Sequence, residues 1–167
     1  MLESGIGAQT EMVIDRGANA IVFTTFLSGT RQLAFEAWTL PQHVRHWWDP
    51  AGLELVECEI DLRPGGRFKF LNQASDHAFS GVYREIKFPD RIVFEAMGAT
   101  GRVLFEDATG GTLLTVRIEC ASQDHLAQFV AMGVDVGTSR TIENLVRYIR
   151  RCSGLHGMAG GPAELPV

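Results

Sequence analysis

Two residues capable of acid-base chemistry stand two positions apart in the strand-like stretch Gly81 to Lys87. Tyr83 and Glu85 would share one face of a strand, because successive side chains alternate between its two faces. If that face points inward, burial raises the pKa of the carboxyl group, and Glu85 could carry a proton in a reaction. Glu85 is therefore a candidate catalytic residue, although no histidine is paired with a carboxylate at a telling spacing.

Three potential metal ligands recur at intervals of three residues, namely His43, His46 and Asp49. This spacing could align them along one edge of a short helix. Pro50 disrupts the helix at that point, however, and no fourth ligand is apparent. We interpret the three residues as a solvated polar face, and we predict no metal site and no cofactor.

A tight turn is predicted at Pro64-Gly65-Gly66, where one strand ends and another begins. Both glycines are expected to adopt positive φ angles. Asp61 and Arg63 lie two apart just before this turn. They could bind an anion, but we interpret them as a salt bridge that pins the hairpin.

The order of helical and strand-like segments indicates the fold class. One strand is followed by two short helices, the second beginning at Pro41, then by six strands with short connections, and by a helical segment from 123 to 151 that Gly133 and Gly137 interrupt. Short connections join neighbouring antiparallel strands, so we predict an α+β fold in which a curved antiparallel sheet of six or seven strands wraps around a long C-terminal helix. The strands are expected at about 20–27, 53–62, 67–73, 78–87, 91–97, 102–107 and 112–121.

The two ends of the chain have a different composition from the middle. Residues 1–18 are predicted to form a mobile leader, in which Met12, Val13 and Ile14 could add to an edge strand. Residues 152–167 are rich in glycine and are predicted to be disordered. A single domain is expected between them, over residues 19–151.

Composition excludes several classes of function. The chain of 167 residues has a net charge of −5 and only two lysines, which argues against nucleic acid as a partner. No apolar run reaches the roughly 18 residues that cross a bilayer, and the N-terminus does not resemble a signal peptide, so we expect no membrane partner. Three cysteines without a Cys-x-x-Cys pair fit a reducing compartment, and a cytoplasmic location follows as the expectation.

The tandem Trp47-Trp48 before Pro50, followed by the Gly65-Gly66 turn, resembles a branch of the START and Bet v 1-like (SRPBCC) superfamily. This branch is named after the C-terminal domain of the activator of the Hsp90 ATPase. The resemblance implies a helix-grip fold over about residues 19–151, with an internal pocket between sheet and C-terminal helix. Further matching positions are Asp61, Arg63, the run 81–86, Pro89, Arg91, Phe94, Gly111, Thr112 and Gly137.

One position departs from the family pattern. Members often carry an aromatic residue directly after the helix glycine, whereas Thr138 follows Gly137 here. If this position lines the pocket, the threonine leaves more room and adds a hydroxyl group. The residues expected to bind a ligand are Trp47, Trp48, Phe68, Phe70, Phe79, Tyr83, Phe94, Phe105, Met132 and Thr138.

These patterns favour binding of a small apolar molecule in an internal pocket, without conversion of that molecule. The sequence also allows a homodimer. One alternative is an enzyme of cyclase or hydrolase type that uses the same pocket, as related polyketide cyclases do. Another alternative is a protein-interaction domain like the co-chaperone, which has less support because we expect no room here for the co-chaperone's N-terminal domain.

Overall fold

The computed structural model describes residues 10–159, with side chains as far as residue 154. The predictions for residues 1–9 and 160–167 lie outside the described residues. The strands are β1 Glu11–Asp15, β2 Ala20–Leu27, β3 Glu57–Ile60, β4 Arg67–Leu71, β5 Phe79–Lys87, β6 Arg91–Ala96, β7 Ala99–Ala108 and β8 Gly111–Glu119. The helices are α1 Arg31–Thr39, α2 Pro41–Val44, α3 Gln123–Ala131 and α4 Val134–Ala159.

The eight strands form one curved antiparallel sheet in the order β1-β2-β8-β7-β6-β5-β4-β3. The sheet wraps around α4, which confirms the predicted α+β helix-grip architecture. The predicted count of six or seven strands is one too low, because β1 pairs with β2 in the register Met12↔Phe23. Residues 11–15 therefore belong to the sheet. The apolar run Met12-Val13-Ile14 had indicated such an edge strand as one possibility.

Three predicted boundaries are corrected by the structure. The second short helix ends at Val44 rather than near Pro50, and the strand predicted at 53–62 is only Glu57–Ile60. Between them the chain is tied into a loop, since the Leu55 amide donates to the Arg45 carbonyl oxygen at 3.0 Å. Helix α4 continues to Ala159, past the predicted end at 151. Extending an existing helix costs far less than starting one, so glycines need not end it.

The core lies between the concave face of the sheet and one face of α4. Ile142, Leu145 and Ile149 recur at helical spacing on this face and are completely buried. The predicted interruption at Gly133 is confirmed, because this residue (φ 79°) separates α3 from α4. The predicted interruption at Gly137 is wrong, because this residue lies inside α4. Within the described part of the chain, no helix combines the length and apolarity needed to cross a membrane.

The turn before β4 needs its two glycines for different reasons. Gly65 has the expected positive φ angle of 84°, but Gly66 does not, so that part of the prediction is wrong. A Cβ atom on Gly66 would lie 2.0 Å from the carbonyl oxygen of Asp61. Gly66 is required by this close approach of two backbone segments. Arg63 pairs with Asp61 at 3.0 Å, as the salt-bridge interpretation predicts.

Gly66→Ala is expected to lower the free energy of unfolding by about 1–3 kcal/mol, because the new methyl group can be accommodated only by moving backbone. Urea unfolding followed by circular dichroism measures the change. Gly17→Ala is the matched control, since its Cβ would meet nothing closer than 3.6 Å. Equal stability of the Gly66 variant and the parent would contradict the steric argument.

Thr25 on β2 is 4% exposed, and its buried hydroxyl group has no hydrogen-bond partner. Thr25→Val keeps the shape and removes the unpaired group, so the free energy of unfolding should rise by about 1 kcal/mol. Thr112→Val is the control, because its hydroxyl donates to the Gly29 carbonyl oxygen at 2.7 Å. Loss of this hydrogen bond in Thr112→Val should lower the free energy of unfolding by about 1 kcal/mol in the same urea titration. A Thr25 variant destabilised as much as the Thr112 variant would refute the prediction.

Candidate functional site

A cavity of about 280 Å³ lies between the concave face of the sheet and the junction of α3 with α4. The sheet contributes Phe79, Phe94, Ala96, Ala99, Gly101, Val116 and Ile118 to its wall. The helices contribute Trp38, Phe129, Val134, Gly137, Thr138, Thr141 and Ile142. The loops contribute Trp48, Pro50, Asn72 and Met97. A wall of this kind, apolar with a few polar groups, is typical of small-molecule sites.

The two adjacent tryptophans point to different places. Trp47 is completely buried, and its indole N–H donates to the Ala37 carbonyl oxygen at 2.9 Å. Trp48 lines the cavity, and its ring centroid lies 5.3 Å from that of Phe79 in a stacked arrangement. Trp48 also meets Phe70 nearly edge-on, with the centroids 4.9 Å apart. One tryptophan therefore belongs to the core and its neighbour to the cavity wall.

Helix α4 holds the tryptophan turn in place through two polar side chains. The Thr141 hydroxyl donates to the Trp48 carbonyl oxygen at 3.0 Å, and the Asn144 amide donates to the Asp49 carbonyl oxygen at 2.8 Å. Asp49 is buried, and its carboxylate accepts from the backbone amides of Ala51 and Leu53. These bonds tie the cavity wall to the helix that the sheet surrounds.

The turn between β6 and β7 contributes one half-exposed side chain to the cavity wall. Met97 lines the cavity there and is 50% exposed. His125 on α3 braces this turn, because its Nε2 lies 3.1 Å from the Met97 carbonyl oxygen while its Nδ1 accepts from the Ala121 amide at 2.9 Å. The two hydrogen bonds link this part of the cavity wall to the start of α3.

The ten residues expected to bind a ligand are divided by the structure into three groups. Four of them line the cavity: Trp48, Phe79, Phe94 and Thr138. Five are buried in the packed core outside the cavity wall: Trp47, Phe68, Phe70, Tyr83 and Phe105. Met132 is 63% exposed at the end of α3 and does not line the cavity.

Aromatic packing explains why most of the inward rings miss the cavity. The Phe68 ring lies 5.1 Å from Tyr83 and 5.5 Å from Phe94, so these rings fill the space between themselves. Phe105 packs against Phe35, with centroids 5.5 Å apart. Alternation along a strand shows which side chains point inward, but it does not distinguish a filled interior from a hollow one.

Glu85 is not the inward-facing carboxylate that alternation predicted. A β-bulge between Tyr83 and Glu85 lets Arg84 take an extra position opposite β6, so the two residues no longer share a face. The Glu85 carboxylate is 2.7 Å from Arg91, and hydrogen bonding to that guanidinium group lowers the pKa of Glu85 rather than raising it. Glu85 is thus an ionised, ion-paired side chain outside the cavity wall.

Tyr83, in contrast, is 3% exposed among aromatic rings. Burial raises the pKa of its phenol well above the ordinary value, with the nearby Cys58 as a second cause. Burial likewise raises the pKa of the Cys58 thiol to about 11. Both groups are therefore protonated at neutral pH, and neither of them lines the cavity.

His43, His46 and Asp49 do not converge on a common point. The Nδ1 of His43 is 2.5 Å from the Tyr148 hydroxyl, and the Nδ1 of His46 pairs with Glu54 at 3.1 Å. Asp49 instead accepts backbone hydrogen bonds. Among the described residues, no group of three or more histidine, cysteine or acidic side chains is arranged to hold a metal ion.

Sequence reasoning missed several residues of the cavity wall. Asn72 lies near the end of the predicted strand 67–73 and is not among the residues expected to bind a ligand, yet it lines the cavity. Gly101 was treated as part of a break, but it lies inside β7, where a Cβ atom would be 2.3 Å from Cζ of Phe94. A glycine within a strand often marks the close approach of another group, and this signal could have located the Phe94 side of the cavity.

The comparison with family models decides the classification. The model described as "Activator of Hsp90 ATPase homolog 1-like protein" matches residues 28–150. The chain belongs to this family. The predicted membership is thereby confirmed, and Trp48, Phe94 and Thr138 of the cavity wall all lie within the matched residues.

Solved structures share the fold of this member of the Hsp90-activator-like family. A crystal structure of a protein from Nitrosomonas europaea is 20% identical, with a TM-score of 0.73 over 81% of this chain and 96% of that chain. A protein from Mycobacterium smegmatis is 19% identical, with a TM-score of 0.75 over 87% of this chain and 99% of that chain. The solution structure of an AHSA1-like protein from Aeromonas hydrophila is 21% identical, with a TM-score of 0.68 over 80% and 94% of the two chains. Comparison with curated proteins gives no match.

Proposed function

We propose that this protein binds a small, largely apolar molecule in the cavity between the sheet and α4, without converting it chemically. The cavity itself carries this proposal, because it offers about 280 Å³ lined by mainly apolar side chains. That volume is about twice that of an engineered apolar cavity of ~150 Å³ that binds benzene. A molecule of roughly two fused rings, or an equivalent aliphatic body, matches the space.

The electrostatics of the site favour binding over catalysis. None of the residues that line the cavity is acidic, basic or a histidine. Glu85, the candidate proton carrier, is paired with Arg91 outside the cavity wall. General acid-base catalysis needs a titratable group within hydrogen-bond reach of the reacting atoms, which this wall does not supply. The cyclase or hydrolase alternative therefore has no proton carrier among the described lining residues.

The protein-interaction alternative would require a contiguous exposed apolar surface. The exposed apolar side chains of the described chain are instead distributed over separate elements. Val13 lies on the edge strand β1, Val56 precedes β3, Phe88 lies between β5 and β6, and Met132 follows α3. These four side chains on four separate elements give a protein partner no support. A cytoplasmic location is part of the proposal, and the free thiols of Cys58, Cys120 and Cys152 support it.

Native mass spectrometry of the freshly purified protein, together with titration of the neutral fluorescent probe N-phenyl-1-naphthylamine, tests this proposal. We expect saturable probe fluorescence with one site per chain, and displacement of the probe by any small molecule that co-purifies. Incubation should return the co-purified molecule with its mass unchanged. A folded protein that neither enhances probe fluorescence nor carries a bound molecule would refute binding. Conversion of the molecule that is lost in Glu85→Gln would establish the enzyme instead.

A further inference from the structure

The aromatic ring of Phe94 lies flat against the sheet at the cavity wall. Phe94 on β6 is paired with Gly101 on β7, and both residues line the cavity. A Cβ atom on Gly101 would lie 2.3 Å from Cζ of Phe94 and 2.7 Å from each of its two Cε atoms. A point at such similar distances from these three atoms lies over the face of the ring, not beyond its edge. One ring face therefore covers Gly101, and the opposite face is directed away from the sheet.

Gly101 is required by this ring rather than by the backbone. Its φ angle is not positive, and the three atoms nearest to its Cβ position all belong to the Phe94 ring. Gly81 differs, because its Cβ position is also 2.4 Å from the backbone carbonyl oxygen of Glu95. Side chains on a strand usually stand roughly perpendicular to the sheet. The missing Cβ atom of Gly101 thus lets the Phe94 ring lie down, where an upright ring would project toward the cavity.

Phe94 keeps part of its ring surface accessible. It is only partly buried, and it lines the cavity. Phe68 approaches it at an interplanar angle of 90°, a perpendicular contact that covers less of a ring face than a parallel stack does. Trp48 and Phe79 on the same wall are instead stacked on each other, with centroids 5.3 Å apart. Because Gly101 occupies one face of the Phe94 ring, the accessible surface lies on the side away from the sheet.

We propose that the ligand has a flat aromatic body that stacks on the Phe94 ring, and that Gly101 is the specificity-determining residue because it lets this ring lie flat. This inference rests on the proposed binding function and chooses between its two ligand shapes, fused aromatic rings and an aliphatic body of the same size. Stacked aromatic rings attract each other beyond what the burial of their surface provides. A saturated ring system has no π face and gains only from burial.

Isothermal titration calorimetry with two alcohols of the same carbon skeleton tests the proposal. 2-Naphthol is flat and aromatic, and decahydro-2-naphthol is its fully saturated counterpart with the hydroxyl group at the same position. We expect the parent protein to bind 2-naphthol about 5-fold more tightly, a factor within the range that stacked aromatic rings supply. This comparison needs no variant.

Gly101→Ala should reduce the preference for 2-naphthol to under about 2-fold, because the new methyl group displaces the Phe94 ring from the sheet. Phe94→Leu should reduce it equally, since it removes the ring without adding an atom at position 101, and it replaces the first variant if that one does not fold. Thr100→Ala is the matched control, because Thr100 precedes Gly101 on β7, points to the opposite face of the sheet and does not line the cavity. This control should keep the full preference. Circular dichroism establishes that the variants are folded.

The outcomes separate this inference from the function on which it rests. If neither N-phenyl-1-naphthylamine nor either alcohol binds to the folded protein, the binding function itself is wrong. If the probe binds but decahydro-2-naphthol binds as tightly as 2-naphthol or more tightly, the function stands and the ligand class is wrong. A preference for 2-naphthol that survives in both Gly101→Ala and Phe94→Leu would overturn the assignment of the stacking to Phe94.

Discussion

Trp47→Ala should lower the free energy of unfolding by about 3–5 kcal/mol, the largest effect that we expect from a single substitution in this protein. Trp47 is completely buried, and its ring centroid lies 4.9 Å from that of Trp38. The substitution removes these contacts, opens a cavity and leaves the Ala37 carbonyl oxygen without the indole N–H that donates to it. Urea unfolding followed by circular dichroism measures the loss.

Two further variants make this prediction specific. Trp47→Phe retains most of the apolar surface and loses the hydrogen bond, so a smaller loss of about 1–3 kcal/mol is expected. Trp48→Ala should destabilise less than Trp47→Ala, because Trp48 is only partly buried, but it should alter the affinity for N-phenyl-1-naphthylamine. Equal destabilisation by Trp47→Ala and Trp48→Ala would contradict the division of the pair between core and cavity wall.

Thr138→Trp should reduce the affinity for N-phenyl-1-naphthylamine by at least about 10-fold while the protein stays folded. Thr138 lines a cavity of about 280 Å³ on the first turns of α4, so an indole ring at this position would occupy space that the ligand needs. Filling a cavity replaces absent contacts with van der Waals contacts, so the fold has no reason to lose stability if the ring fits. Fluorescence titration and urea unfolding of the same preparation measure both effects.

Arg140→Trp is the control for the added ring. Arg140 lies two positions further along α4, is exposed and does not line the cavity, so this variant should bind the probe as the parent does. Unchanged probe affinity in a folded Thr138→Trp variant would place the bound molecule outside the cavity. Loss of affinity in both variants would indicate a general disturbance of α4 instead.

The strand pairings of this protein were open to prediction because they depend on local patterns. β-Branched and aromatic runs separated by short turns predict neighbouring antiparallel strands, and the observed sheet order follows the chain from β3 to β8. The break at Gly133 could also be predicted from the sequence, because a glycine in a helical pattern indicates where the helix can end. The length of α4 could not be predicted in this way, because the free-energy cost of continuing a helix through glycines is small compared with that of starting one.

The cavity wall could not be predicted from local sequence patterns, because it depends on how the strands pair and pack. A single extra residue, Arg84, turned Glu85 away from the side that Tyr83 faces and brought it to Arg91. Bulges arise from the pairing of two strands, so the alternation within one strand could not reveal this one. The same holds for Phe68, whose ring is covered by Tyr83 and Phe94 rather than facing the cavity.

The sequence by itself determined the order of the elements, the antiparallel sheet around a C-terminal helix, and family membership through Trp47, Trp48 and the Gly65-Gly66 turn. It did so because hydrophobic periodicity and turn residues act over a few neighbouring positions. The tertiary structure alone decided which inward side chains fill the core and which line the cavity. Packing density and hydrogen-bond satisfaction depend on residues far apart in the chain, so they are settled only when the sheet closes over α4.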